Sequence, residues 1–275
     1  MYEARKVSKK QPVSSVKASS QLYPALILAQ FTALAPQRGF RVERFGEISG
    51  FPLLALTKRT PGPRPRIYLS AGIHGDEPAP PLALLRLLEQ GFFDTRAVWF
   101  LCPLLNPVGA SLRIRENAEQ IDLNRDYRHK KSAEIAAHIR WLERQPPFDL
   151  SFCLHEDWEA KGFYLYELNP TQRPSLAEAM IAAVEKNSLI DPSALIDERE
   201  AIGGIIRPDV ASANRELWPE ALYLRQHHST LTYTIETPSA VALEERIAAH
   251  CVALTAALAQ FAQKRSATQQ IRDKR

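Results

Sequence analysis

The chain has 275 residues, 45% hydrophobic and 24% charged, which is enough apolar material for one sizeable core, and no linker marks a second domain. A net charge of +4 would suit a nucleic-acid binder, but the excess sits at the ends: Arg5, Lys6, Lys9, Lys10 and Lys17 against Glu3, and Lys264, Arg265, Arg272, Lys274 and Arg275 against Asp273. The body between them is net acidic, so no phosphate-tracking surface is expected, and residues 1–20 and 264–275 read as flexible basic tails around a domain over 21–263.

Cys102, Cys153 and Cys251 leave at least one thiol unpaired, and two of them stand within apolar runs. Free thiols in a reducing, cytoplasmic compartment are the expectation. The first apolar stretch, 22–36, is broken by Tyr23-Pro24, Gln30 and Thr32 and carries no cleavage site, so no signal peptide is expected. Nor does any run of about 20 apolar residues suggest a membrane span.

Residues 25–35 read as a first helix, and 40–45 and 51–57 as a strand pair joined by a turn over 46–50. A proline-rich loop, Pro61-Gly62-Pro63-Arg64-Pro65, leads into the strand-like run Ile67-Tyr68-Leu69-Ser70-Ala71-Gly72-Ile73 and then into His74-Gly75-Asp76-Glu77. Pro78, Pro80 and Pro81 suit the entry to a buried helix over 82–90. The apolar run 97–105 is long enough for a strand covered on both faces, which favours a parallel sheet. Residues 132–144 are helical with Ile135, Ile139 and Leu142 on one face, and 150–154 and 163–168 are strands. Ser175 and Glu178 form a capping box ahead of a helix, 231–235 alternate as a strand should, and 241–263 have the spacing of a closing helix. Strands alternating with helices indicate an α/β fold.

His74 and Glu77 are three residues apart, and on a strand they would face opposite ways. They can grip one ion only if the chain turns sharply after Ile73, a turn that Gly75 permits. Four polar stations follow directly on four strands: His74 with Glu77, Asn106, His155 and Glu236. Ligands of open α/β sheets bind beyond the carboxyl ends of the strands, so parallel neighbours would gather these stations at one edge. His74, Glu77 and His155 then supply the three protein ligands of a catalytic zinc, with a position left for water. Cys153 shares the strand face of His155, yet a thiol inside Phe152-Cys153-Leu154 is more often plain core. His129, His138 and His250 have no partner at ligand spacing, whereas His227-His228, just before the Glu236 strand, could line the cleft. Glu236 is either a capping acid ahead of the last helix or a general base that takes a proton from water and hands it to a leaving amine.

The stretch 106–127 is the most specific. Arg125 beside Asn124 can hold an anionic substrate end, because a guanidinium binds carboxylates in a planar, bidentate way. Arg115 can face a developing oxyanion, and Asp122 can orient a metal-bound imidazole by accepting its second ring proton. From composition alone, a charged surface loop with several arginines would serve as well.

Together these residues resemble the zinc metallocarboxypeptidases and their relatives, the succinylglutamate desuccinylases and aspartoacylases. The shared pattern is His-x-x-Glu (His74, Glu77), Asn-Pro-x-Gly (Asn106 to Gly109), Arg-x-Asn (Arg115, Asn117), Asp-x-Asn-Arg (Asp122 to Arg125), then His155 and Glu236. It covers 74–236, and Gly46-Glu47-Ile48-Ser49-Gly50-Phe51-Pro52 looks like the segment that opens the smaller bacterial members. The resemblance implies a single α/β domain with a mixed, mostly parallel sheet of about eight strands flanked by helices. It further implies one Zn2+ per chain on His74, Glu77 and His155, Arg115 on the scissile carbonyl, Asn124 and Arg125 on the terminal carboxylate, and Glu236 as general base. The partner it implies is a peptide or N-acyl amino acid with a free carboxylate, with no nucleic acid and no membrane.

Two departures from the family pattern stand out. Gln120 occupies a position that usually carries glycine in the smaller relatives, and only Tyr223 offers itself as the substrate-covering tyrosine of the digestive enzymes. The short span from Glu77 to His155 suits the compact bacterial branch, which includes amidases acting on cell-wall peptides. A metallocarboxypeptidase or peptide amidase is therefore expected, with N-acyl amino acid deacylation as the alternative. Asn106-Pro107-Val108-Gly109 and the short chain after Glu236 favour the former. A non-catalytic binding protein that kept the fold is opposed by the presence of Glu236. Residues 199–218, Arg207 among them, either line a specificity pocket or form a charged surface loop.

Overall fold

Alternating apolar strands that bury both faces need helices on each side, and the computed structural model, which describes residues 22–208 and 216–273 with side chains as far as Lys264, shows that arrangement. The chain runs α1 (Pro24–Gln37), β1 (Arg41–Ile48), β2 (Phe51–Lys58), β3 (Arg66–Ser70), α2 (Ala79–Glu89), β4 (Val98–Cys102) and α3 (Pro107–Leu112). A 3-10 turn (Leu123–Arg125) precedes α4 (Ala133–Leu142), β5 (Leu150–Asp157), β6 (Tyr164–Leu168) and α5 (Ala177–Val184). Then come β7 (Leu195–Ile196), β8 (Arg199–Ile202), β9 (Ile205–Ile206), α6 (Glu220–His227), β10 (Thr232–Pro238) and α7 (Leu243–Asp273).

The strands form one 10-stranded mixed sheet in the order β1-β2-β4-β3-β5-β10-β6-β9-β8-β7. Its centre, β4-β3-β5-β10, is parallel throughout, and antiparallel β2 and β6 flank it. Side chains alternate across this centre. Ile67 and Leu69, Trp99 and Leu101, and Phe152 and Leu154 enter the larger core with residues of α1, α2, α5 and α7. Tyr68, Phe100 and Cys153 enter the opposite core with Ile135, Ile139 and Leu142 of α4 and Leu224 of α6. Each such fully buried side chain contributes about 1.5–3 kcal/mol.

The sheet agrees with the mixed sheet of about eight strands that the resemblance implies, with β7, β8 and β9 as short edge pieces of two to four residues. The departures from the sequence reading have local causes. Strand β1 continues to Ile48, so the hairpin turn is Ser49-Gly50, both at positive φ. Gly46 instead lies at a shift in the β1–β2 register, where a Cβ would stand 3.1 Å from that of Ala137 on α4. The capping box is not made, and Leu176 rather than Ser175 is the N-cap. Ser175 Oγ accepts from Ala177 N at 3.0 Å, but Glu178 turns to Arg207, and the helix starts at Ala177. Helix α7 passes through 264–273, which contain no glycine or proline, and ends at Asp273 rather than 263. The expected tail over 1–20 lies outside the described residues. All three cysteines are free, and among the described residues no helix is long and apolar enough to cross a membrane.

Candidate metal centre and substrate cleft

The loop between β3 and α2 carries His74 and Glu77, and close packing shapes it. A Cβ on Gly75 would lie 2.0 Å from the carbonyl carbon of Gly109, so this glycine is required by backbone approach rather than by turn freedom. Gly109 sits in the first turn of α3, where Asn106 Oδ1 accepts its N–H at 2.8 Å. Asn106 Nδ2 donates to the carbonyl of Glu116 at 3.1 Å, which ties the Arg115 segment to the same cap. Asn117 Oδ1 accepts from the N–H groups of Glu119 and Ile121, both at 3.0 Å, and its Nδ2 reaches Glu134 Oε2 at 3.2 Å. Asn106, Gly109 and Asn117 therefore build the frame that holds Arg115 and Asp122 beside His74. Gln120, where relatives carry glycine, adopts φ 60°, the left-handed conformation that explains a glycine there.

His74, Glu77 and His155 are buried, and each offers a ligand atom within 4.8 Å of the others. Glu77 Oε1 lies 2.5 Å from His74 Nδ1, and Oε2 lies 3.1 Å from His155 Nδ1. The far nitrogen of His74, Nε2, lies 3.2 Å from Asp122 Oδ1, and Arg115 Nε donates to Asp122 Oδ2 at 3.1 Å. Asp122 stands where it can accept the Nε2 proton of a neutral His74, the tautomer whose Nδ1 can ligate a metal. Burial lowers the His74 pKa, but Glu77 and Asp122 outweigh it and carry it up to about 9. Burial acts upward on Glu77, and the two imidazoles overcome it, holding the carboxyl at about 2. Two imidazole nitrogens and a carboxylate, converging in a buried pocket whose surroundings favour positive charge, fit a zinc ion.

Glu236 projects from β10 beside this group. Burial pushes its carboxyl up to about 8, with His155 opposing and Glu77 reinforcing the rise. His74, Glu77, Arg115, Asn124, Arg125 and Glu236 all line one cleft of about 640 Å³. Asn124 and Arg125 sit in the 3-10 turn, fixed by Asp122 Oδ1 accepting Asn124 N at 2.9 Å and by Arg125 Nη1 donating to Asn124 O at 2.9 Å. Every residue chosen from the motif for metal, anchor or proton transfer is thus brought to one place.

Other candidates are not. Tyr223 is buried against Tyr127, His227 and His228 and does not line the cleft. His227 and His228 pack on Tyr223 and Phe148 instead of lining the cleft. Arg207 is taken up by Glu167 at 2.8 Å and Glu178 at 2.6 Å, while Arg199, Pro208, Glu216 and Leu217 of the same stretch do line the cleft. Residues 209–215 lie outside the described residues. Sequence reasoning missed Tyr164 and Tyr166 of β6, which form a cleft wall. Only the strand pairing reveals them: Tyr164 pairs with Glu236 across antiparallel strands, and Tyr166 stands two residues on, so both share its face. The Tyr164 hydroxyl donates to Asp157 at 2.9 Å and that of Tyr166 to Asp197 at 2.7 Å.

Comparison with solved structures shows the same fold. A provisionally assigned metallopeptidase from Shewanella amazonensis superposes with a TM-score of 0.74 at 23% identity, covering 84% of this chain and 91% of that one. A metallo-carboxypeptidase from Burkholderia cenocepacia gives 0.63 at 19% identity over 86% of this chain and 68% of that one. In sequence, Carboxypeptidase SOL1 of Arabidopsis thaliana is 31% identical over 134 residues, and the match spans 39% of this chain but only 27% of that protein. The profile of the succinylglutamate desuccinylase/aspartoacylase catalytic domain matches residues 63–262, a span that holds His74, Glu77 and His155, the arginine loop and Glu236. The chain belongs to that family of carboxypeptidase-like metallohydrolases.

Proposed function

We propose that this protein is a zinc-dependent hydrolase that cleaves an amide bond next to a residue bearing a free carboxylate. The observation that carries the reading is the single cleft in which the His74, Glu77 and His155 ligand set, the Glu236 carboxyl and the Asn124-Arg125 pair stand together. Zinc, when bound, supplies Lewis-acid activation of water and of the scissile carbonyl. Arg125 and Asn124 bind the substrate carboxylate and so place the neighbouring amide against the ligand group. Arg115 faces the carbonyl oxygen as negative charge develops there. Glu236 takes a proton from the attacking water and delivers it to the departing nitrogen; its raised pKa suits a group that must both accept and donate near neutrality.

Peptide hydrolysis is the first reading, supported by the carboxypeptidase-like fold and the Asn106-Pro107-Val108-Gly109 segment. Deacylation of an N-acyl amino acid is the second, favoured by the family profile over 63–262. Zinc-loaded protein is tested on N-blocked dipeptides and on N-acyl amino acids, each alongside its carboxyl-amide counterpart. Turnover of the free-carboxylate members of either set supports the reaction class and tells the two apart. Equal turnover of the amides would rule out recognition of the carboxylate.

A further inference from the structure

Glu220 opens α6 beneath the cleft, is 1% exposed, and has no part in the chemistry above. Both of its oxygens are in use. Tyr68 Oη donates to Oε1 at 2.7 Å, and Ser70 Oγ donates to Oε2 at 2.7 Å. Tyr68 and Ser70 are alternate residues of β3 and reach from the same face of the sheet. The Tyr68 hydrogen is spent on Glu220, so its contact with His138 Nε2 at 3.0 Å takes the imidazole proton. His138 Nδ1 then accepts from the Tyr127 hydroxyl at 2.8 Å. The carboxylate is thereby fastened to the parallel centre of the sheet.

The main chain of Glu220 makes the contact that matters for binding. Its N–H donates to Asn124 Oδ1 at 2.8 Å. An N–H cannot accept, so this bond fixes which end of the Asn124 amide is oxygen and leaves the Nδ2 hydrogens for the cleft that Asn124 lines. A donor is what an anionic substrate end needs. Turned the other way, the amide would set an acceptor against a carboxylate.

We propose that Glu220 is a positioning residue for substrate recognition: held by Tyr68 and Ser70, it fixes the first turn of α6 so that its N–H aims the Asn124 amide donor at the substrate carboxylate. The inference rests on Asn124 and Arg125 being the carboxylate anchor. Without the Glu220 side chain, the two hydroxyls lose a buried acceptor and the turn loses its tie to β3.

The test is a double-mutant cycle of Glu220→Ala and Asn124→Ala in the full chain, measured with the free-carboxylate substrate of the panel above that is turned over fastest. Glu220→Ala is expected to raise KM about tenfold, the loss of roughly one charge-assisted hydrogen bond, with kcat within about twofold and zinc content unchanged. Glu220→Gln, which keeps the shape and one acceptor, restores part of the loss. In the Asn124→Ala background Glu220→Ala adds nothing to KM. If Asn124→Ala raises KM but Glu220→Ala does not, or if Glu220→Ala raises it equally in both backgrounds, the inference falls and the anchor stands. An Asn124→Ala variant with unchanged KM overturns the anchor itself and this inference with it. Should Glu220→Ala fail to fold, Tyr68→Phe replaces it in the cycle, with an expected rise of roughly threefold for the loss of one of the two tethers.

Discussion

His155 and Glu236 are register partners on the neighbouring parallel strands β5 and β10. The ladder holds the two side chains at one level and on one face, so the distance between a proposed zinc ligand and the proposed proton carrier is set by main-chain hydrogen bonds. Loop motion has no say in it. His74 and Glu77 come from a loop, but that loop is clamped by the approach of Gly75 to Gly109.

Glu236→Gln keeps the volume of the side chain and removes its ability to carry a proton. Turnover is expected to fall by about 10²–10⁴ while zinc stays bound. Metal analysis and single-turnover rates on the same preparation check this, and near-normal rates with full zinc would remove Glu236 from the reaction.

Removal of zinc by a chelator is expected to abolish activity, with zinc restoring it. Because the ion binds only the folded chain, saturating zinc at 100 times its Kd should add about 2.7 kcal/mol of stability, seen as a higher Tm. His155→Ala should lose both the zinc and the Tm increment. A Tm indifferent to zinc in the parent protein would count against the centre.

Gly75→Ala is expected to cost more than about 3 kcal/mol, since the added methyl would stand 2.0 Å from a main-chain carbon that cannot swing aside. Gly50→Ala is a useful comparison: it has open space and φ 82°, so only backbone strain of about 1–2 kcal/mol applies. Denaturant unfolding should rank them in that order.

Burial pushes His138 down to about 3, below its ordinary value of 6.5. Between those values the unfolded chain binds a proton that the folded chain excludes. The stability from keeping His138 neutral is therefore complete above pH 6.5 and is lost as pH falls toward 3. Moving from pH 8 to pH 4 should cost the parent protein about 3 kcal/mol more than a His138→Gln variant, measured by urea unfolding. Parallel losses in the two proteins would show that His138 is not the group responsible.

The sheet edge and its chemistry were legible because each polar station comes at the end of an apolar run, although β5 and β10 continue past His155 and Glu236 to Asp157 and Pro238. What could not be read were contacts made across the fold. Gly75 looks like a turn residue until Gly109 is seen against it, and Glu220 looks like an ordinary acid in a helix's first turn until Tyr68 and Ser70 are seen holding it. Tyr223 packs away from the cleft, whereas the tyrosines that line it come from β6, whose antiparallel pairing with the Glu236 strand is another contact of this kind. Strands β7 to β9 escaped because two to four residues cannot show a period.

Alternation along β5 sends Glu156, next after His155, to the opposite face of the sheet. There it accepts the N–H of Ala79 at the start of α2, at 2.6 Å, and pairs with Arg246 of α7. The imidazole is thus braced from behind by two helices that never enter the cleft. The proposed metal centre would then have a rear support, and substitutions or truncations in α7 are expected to weaken zinc binding from a distance.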